Sequence, residues 1–239
     1  MNVVITMAGL GSRFRKAGYT VPKYQIEVRG KSLFEWSISS LQDFFALPNR
    51  YIFLVRKEDN AKLFIETVCR SMGLEPIFIV ELDSPTDGQA TTALYARTYW
   101  KEDEPLLIYN IDTYVEPYVM RASDIQGDGF IPCFSAEGEH WSFVKLDEAG
   151  NAVEVKEKKR ISNHCTLGAY YFKSAALYQS LYDEYYSDGH LEMFEKYVAP
   201  LYNLLIRQGG KVRISTIDSK RIHVLGTPEE LTVFQNENE

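Results

Sequence analysis

Gly9-Leu10-Gly11-Ser12-Arg13 stands directly after a short β-branched run, and Pro22-Lys23 follows ten residues later. Glycines let the backbone N–H groups of such a turn converge on phosphate oxygens with no Cβ in the way. The guanidinium of Arg13 can fork onto a phosphate, and Lys23 supplies a second positive charge. The chemistry this suggests is the handling of phosphate groups. A dinucleotide fingerprint would want a third glycine where Phe14 stands, and Gly18 and Pro22 interrupt a long helix after the turn. The bland reading of the same residues is a tight structural turn with solvated basic side chains.

Other chemistries find less support. The four histidines (His140, His164, His190, His223) are scattered, which argues against a metal cluster among them. No Ser–His or Cys–His pairing is apparent. Cys69, Cys133 and Cys165 lie far apart without C-x-x-C spacing and read as buried, reduced thiols of a cytoplasmic protein. A net charge of -7 argues against a nucleic-acid partner, which would need a broad basic face. No run has the length of a signal peptide or a membrane span.

The elements that must position these residues follow from periodicity. Residues 3–7, 51–55, 77–82 and 106–111 read as buried strands, the last ending at Asp112. Helices are expected between them. One starts at the capping box Ser32-Leu33-Phe34-Glu35, and others cover 59–72 and 88–100. Strand alternating with helix predicts an α/β fold with a doubly wound, mostly parallel mixed sheet, whose ligands sit beyond the carboxyl ends of its strands. The second half differs, with short strands at 130–134, 143–146, 153–155 and 167–172, helices at 174–186 and 195–208, and a strand at 212–217. Thr227-Pro228-Glu229-Glu230 opens a last helix, with Thr as N-cap, Pro at N1 and Glu at N3. No linker or repeat divides residues 1–239, so a single domain is expected, with a nucleotide-binding half at about 1–115 and an acceptor-binding half at about 116–239.

Met7-Ala8-Gly9-Leu10-Gly11-Ser12-Arg13 followed by Pro22-Lys23 resembles the signature of the sugar-phosphate nucleotidyltransferases. Further segments fall in that family's order: 84–88, 109–112, Glu157-Lys158, 168–172 and 226–231. The resemblance spans nearly the whole chain and implies the nucleotide-diphospho-sugar transferase fold shared with many glycosyltransferases. It implies that Ala8, Gly9, Gly11, Ser12 and Arg13 wrap the nucleotide, with Arg13 on the β- and γ-phosphates and Lys23 over the α-phosphate. Gly88 would hug the base, Asp112 would bind Mg²⁺, and Lys158 would grip the acceptor phosphate, with Gly168 and Tyr170 beside it. The implied chemistry is in-line attack by an acceptor phosphate oxygen on the α-phosphorus of an NTP, releasing pyrophosphate. An ionised phosphate needs no protein nucleophile. The implied context is cytoplasmic sugar-nucleotide synthesis for a surface polysaccharide.

Plainer readings stand beside these. Asp112 could cap a turn, and Lys158 belongs to the run Lys156-Glu157-Lys158-Lys159-Arg160, which could be a solvated turn. Two positions depart from the family pattern. Val224 stands where many members carry a second metal-binding Asp, so either phosphates complete the site or Asp218 or another residue reaches in. Asp83 stands where uridylyl- and thymidylyl-transferring members often have Gln. A carboxylate only accepts, which favours the donor edges of CTP, then GTP. The alternatives are a glycosyltransferase using an NDP-sugar, against which Arg13 and Lys23 argue, and an inactive nucleotide-binding regulator, motivated by Val224.

Overall fold

The computed structural model describes residues 1–187 and 195–237. In chain order its elements begin with β1 Asn2–Thr6, α1 Ser12–Lys16, β2 Glu27–Val28, β3 Lys31–Ser32, α2 Leu33–Ser39, β4 Arg50–Arg56, α3 Lys62–Ser71, β5 Ile77–Leu82 and α4 Gln89–Leu94. There follow β6 Leu106–Asn110, β7 Thr113–Val115, β8 Gly129–Phe134, β9 Ser142–Leu146, β10 Ala152–Glu157, β11 Cys165–Thr166 and β12 Ala169–Phe172. The chain closes with α5 Ala175–Tyr185, α6 Leu201–Arg207, β13 Val212–Thr216, β14 Ile222–Val224 and α7 Pro228–Asn236. Among the described residues ten strands form one sheet in the order β10-β9-β11-β8-β12-β6-β1-β4-β5, with β13 beside β8. β6, β1, β4 and β5 run parallel to one another, and antiparallel β12, beside β6, joins them to the second half. The α/β fold class with its mixed, doubly wound sheet is as expected.

Alternation along the strands explains why both faces are covered. Val3, Ile5, Phe53, Leu107 and Tyr109 enter one core layer with Phe34 and Ile38 of α2. Val4, Ile52, Leu54, Leu106 and Ile108 enter the opposite layer with Ala90 and Ala93 of α4 and Tyr178 of α5. Successive Cβ atoms point to opposite faces, so strands wholly apolar in sequence must be sandwiched between helices. The capping box forms: Ser32 Oγ accepts from the Glu35 N–H at 3.2 Å, and the Glu35 carboxylate accepts from the Ser32 N–H at 2.8 Å. Cys69, Cys133 and Cys165 are free and buried.

Several boundaries differ from expectation, each for a local reason. A five-residue helix, α1, does follow the glycine turn, and it ends at Ala17 before Gly18. The strand expected at 167–172 begins only at Ala169, as β12, because Gly168 adopts φ 87 and separates it from β11. The helix expected over 88–100 is α-helical only over α4 and tightens to a 3-10 turn at Tyr95–Thr98. The helix expected from 195 begins only at Leu201, after Pro200 at its N-cap, because residues 195–197 pair elsewhere. No helix among the described residues is long and apolar enough to cross a membrane.

Candidate functional site

β1 and β6 lie side by side with Thr6 opposite Asn110, so the loops leaving their carboxyl ends meet. That register brings the Gly9–Arg13 turn beside Asp112. Gly11 adopts φ 60 as the N-cap of α1, a conformation glycine takes at no steric cost. Lys23 opens the 3-10 turn Lys23–Gln25, and its Nζ lies 3.0 Å from Asp112 Oδ2. The next residue fixes this turn. Tyr24 Oη donates to Asp59 Oδ2 at 3.1 Å, and Asp59 Oδ1 lies 2.6 Å from Arg56 Nη2, both ion-pair side chains being almost fully buried. The charged residues above therefore rest on a buried, hydrogen-bonded ion pair.

These residues line an open cleft of about 650 Å³. Ala8, Gly9, Gly11, Ser12, Arg13, Lys23, Gly88, Asp112, Gly168 and Tyr170 all border it, which brings most of the sequence-derived candidates together. Gln89, which sequence reasoning missed, ties the two strand ends through Nε2, donating to Thr6 Oγ1 at 3.1 Å and to the Asn110 side-chain oxygen. Gly168 is needed here, since a Cβ would lie 2.6 Å from Asn110 Nδ2.

A second carboxylate faces Asp112. Glu230, from the first turn of α7, borders the cleft and accepts from the Gly226 N–H at 3.0 Å. The position a Cβ would take on Gly226 is 3.4 Å from Glu230 Oε2 and 3.7 Å from Asp112 Oδ2, so the missing side chain leaves a gap that both acids approach. In the sequence Glu230 was legible only as an N3 cap. Asp218, the other substitute considered, instead caps the 3-10 turn Ser219–Arg221 by accepting from the Lys220 N–H. Val224 borders the cleft without a ligating group. Among the described residues no three His, Cys, Asp or Glu side chains gather as a metal cluster. His140 borders the cleft, His223 pairs with Glu237 at 2.6 Å, and His190 lies outside the described residues.

The opposite end of the cleft is walled by Trp141, Ser142, Glu157, Tyr170, Glu195 and Tyr197. Burial raises the Glu157 carboxyl above the usual carboxylate range, partly offset by the hydroxyl that Ser142 donates to it. Tyr170 Oη is taken up by Thr166 at 3.1 Å, so this ring is wall as much as reader. Lys158 stands just behind the wall, with φ 51; its Nζ donates to Tyr197 Oη and lies 4.6 Å from the centre of that ring. Burial alone would depress the Lys158 ammonium, yet Tyr197 holds it above the usual lysine range.

Two nucleotide-side candidates take unexpected surroundings. Gly88 is clasped by protein: a Cβ would lie 2.4 Å from the Lys196 carbonyl oxygen and 2.5 Å from its nitrogen. Asp83 lies outside the cleft lining, its side chain 81% exposed and 2.8 Å from Lys57 Nζ. Leu82 before it is buried at the end of β5, so the following side chain swings outward. The residues that border this end of the cleft are Pro85, Thr86, Gly88 and Gln89.

No protein-family model and no curated protein matches the chain. Among solved structures, a nucleoside-diphosphate-sugar pyrophosphorylase from Vibrio cholerae superposes with a TM-score of 0.91 and 33% identity, over 99% of this chain and 100% of that one. The inositol-1-phosphate CTP transferase from T. maritima has a TM-score of 0.76 and 15% identity, over 99% and 96% of the two chains. A Bacillus anthracis protein assigned as a glucose-1-phosphate thymidylyltransferase has a TM-score of 0.77 and 15% identity, over 100% and 97%. The two weaker likenesses speak to the fold alone. With full-length coverage at the higher identity, and with the glycine turn, Lys23 and Asp112 on one cleft, the chain belongs to the sugar-phosphate nucleotidyltransferase family.

Proposed function

We propose that the protein is a nucleotidyltransferase that joins the NMP unit of an NTP to a phosphorylated small molecule, a sugar phosphate, and releases pyrophosphate. The observation that carries this reading is the meeting of Arg13, Lys23 and Asp112 on one wall of a cleft whose far end is lined by aromatic and carboxylate side chains. A phosphate oxygen of the acceptor attacks the α-phosphorus, forming a new P–O bond as the bond to the β-phosphate bridge breaks. The electron pair leaves with pyrophosphate. Such a transfer needs charge neutralisation and positioning, which fixed donors supply without reorganisation.

Each residue has a task in this scheme. The turn amides of residues 8–13 and the Arg13 guanidinium hold the leaving phosphates, and Lys23 meets charge at the α-phosphate. Asp112 and Glu230 offer hard oxygen donors beside a gap, the donor set that suits Mg²⁺ when substrate phosphates complete its shell. When bound, the ion would neutralise phosphate charge. Lys23 already lies 3.0 Å from Asp112, so substrate must draw this ammonium toward phosphate and free the carboxylate. Lys158, held behind the wall by Tyr197, must turn into the cleft to take the acceptor phosphate, and Glu157, on the cleft wall, accepts from an acceptor hydroxyl. The CTP preference argued from Asp83 gains no support from an exposed carboxylate paired with Lys57, so the base falls to Thr86, Gln89 and the backbone of 85–88.

The test is a screen of CTP, GTP, UTP and dTTP against a pool of sugar phosphates, read as pyrophosphate release. Release that depends on both an NTP and an acceptor supports the reading. Consumption of an NDP-sugar in place of an NTP would replace it with a glycosyltransferase, and no turnover of either would leave a binding protein.

A further inference from the structure

Residues 195–197 were expected to begin a helix and instead cross between the two ends of the cleft. The Lys196 N–H donates to Asp87 O at 2.7 Å, and the Ala90 N–H donates to Lys196 O at 3.0 Å, so its backbone is strapped onto the Gly88 turn. Side chains along this piece alternate. Glu195 and Tyr197 border the cleft, whereas Lys196 between them does not. Its Nζ lies 2.9 Å from Asp87 Oδ2, donates to Tyr182 Oη at 3.2 Å and sits 5.4 Å and 5.5 Å from the ring centres of Tyr182 and Tyr186. Thr91 donates to the other oxygen of Asp87 and shares a 2.7 Å hydrogen bond with Tyr182.

The other end of the strap is equally tied. Tyr197 Oη accepts from Lys158 Nζ, and the Tyr197 carbonyl accepts from Tyr186 Oη at 2.7 Å. Tyr182, Tyr186 and the strap therefore form one connected network running from the Gly88 turn to Lys158. A network of this kind has few ways to yield at one end without moving the other.

We propose that Lys196 is a positioning residue that couples the two ends of the cleft: its grip on Asp87 sets the Gly88 turn and, through Tyr197, the place of Lys158. The inference rests on the reading that the Gly88 end receives the NTP and the Lys158 end the acceptor phosphate. Lys196 reaches neither substrate, so its effect runs wholly through the turn and through Tyr197. Coupling of this kind is reciprocal: whatever nucleotide binding does to order the acceptor end, acceptor binding does to the nucleotide end.

The test needs only nucleotides. CTP, GTP, UTP and dTTP are each titrated calorimetrically into wild type, Lys196→Met, Lys196→Arg and Asp87→Asn, and hydrogen exchange is followed with and without the tightest of the four. Lys196→Met keeps the stem and removes the charge, and should weaken nucleotide binding roughly fivefold at unchanged stoichiometry, as loss of one partly exposed ion pair implies. Asp87→Asn should match it, and Lys196→Arg should return affinity to within about twofold, since Arg keeps the charge and the ring contacts. In wild type, nucleotide should slow exchange at 86–90 and also at 156–160; in Lys196→Met the second protection should vanish. Wild-type affinity in Lys196→Met, a fall in stoichiometry instead of affinity, or protection of 156–160 that survives the substitution would each overturn the coupling role. A wild type that binds none of the four nucleotides would instead overturn the reading of the cleft, and the inference with it.

Discussion

Replacing Gly88 by Ala separates two reasons for a glycine at this turn. Gly88 sits at φ 144 and ψ 173 as the N-cap of α4, a region that L residues rarely enter. Holding a non-glycine residue there costs about 1–3 kcal/mol. The new methyl would also lie 2.4 Å, 2.5 Å and 2.8 Å from the oxygen, nitrogen and carbonyl carbon of Lys196, all backbone atoms that no rotamer change can move. Overpacking of this kind costs about 1–3 kcal/mol more. The sum is roughly 2–6 kcal/mol, and at roughly 2–4 °C per kcal/mol for a chain of this size the Tm should fall by roughly 4–24 °C. Differential scanning calorimetry of Gly88→Ala against wild type reads this directly. Had Gly88 been required only so that a base could approach its backbone, the substitution would raise the KM for NTP and leave stability intact. A Tm within about 2 °C of wild type would refute the argument that the Lys196 strap demands this glycine.

Glu230→Gln should keep the bond from the Gly226 N–H, because the amide oxygen still accepts, yet raise the Mg²⁺ concentration needed for half-maximal activity roughly tenfold or more, as loss of one charge-assisted contact implies. Unchanged Mg²⁺ activation would remove Glu230 from the site. Asp83→Gln should leave the ratios of kcat/KM among the four NTPs within about twofold of wild type, since an exposed pair with Lys57 is all that is lost. A shift toward UTP of about tenfold or more would restore the base-reading role expected from sequence. Burial raises the folded Glu157 carboxyl, so it gains its proton at a higher pH than an ordinary carboxylate. Acidification through that raised value should weaken acceptor binding, seen as a rising acceptor KM, and should also stabilise the fold, because the folded chain binds the proton more tightly than the unfolded one. Glu157→Gln should abolish both trends, and an acceptor KM that still rises on acidification would assign the dependence to another group.

How much of this was legible in the sequence depended on range. Local rules carried the parallel half: apolar runs such as 51–55 are buried on both faces, and Ser32 with Glu35 encodes its own cap. The glycine turn and Asp112 could be placed together because strand order alone brings the carboxyl ends of β1 and β6 together. Contacts between distant segments were not legible. Glu230 reads as a helix cap until the chain folds and sets it across the Gly226 gap from Asp112. Residues 195–200 carry no helix-breaking signal before Pro200, and it is pairing with the Gly88 turn and with Tyr186 that holds 195–197 out of a helix. The position of Asp83 in the family pattern fixes its place along the chain but not the side toward which its carboxylate points. Lys57, far away in sequence, draws it outward.

The proposed reaction is displacement of pyrophosphate from the α-phosphorus of an NTP by an acceptor phosphate oxygen in this cleft. Phosphorus NMR of a complete reaction tests it most directly. The wild-type enzyme, the NTP and the sugar phosphate identified by the screen should yield a new diphosphate ester and free pyrophosphate in equal amounts. Label placed at the α-phosphorus should appear only in the ester. Inorganic phosphate or an NDP as the released product, or α-label in the pyrophosphate, would rule this reaction out.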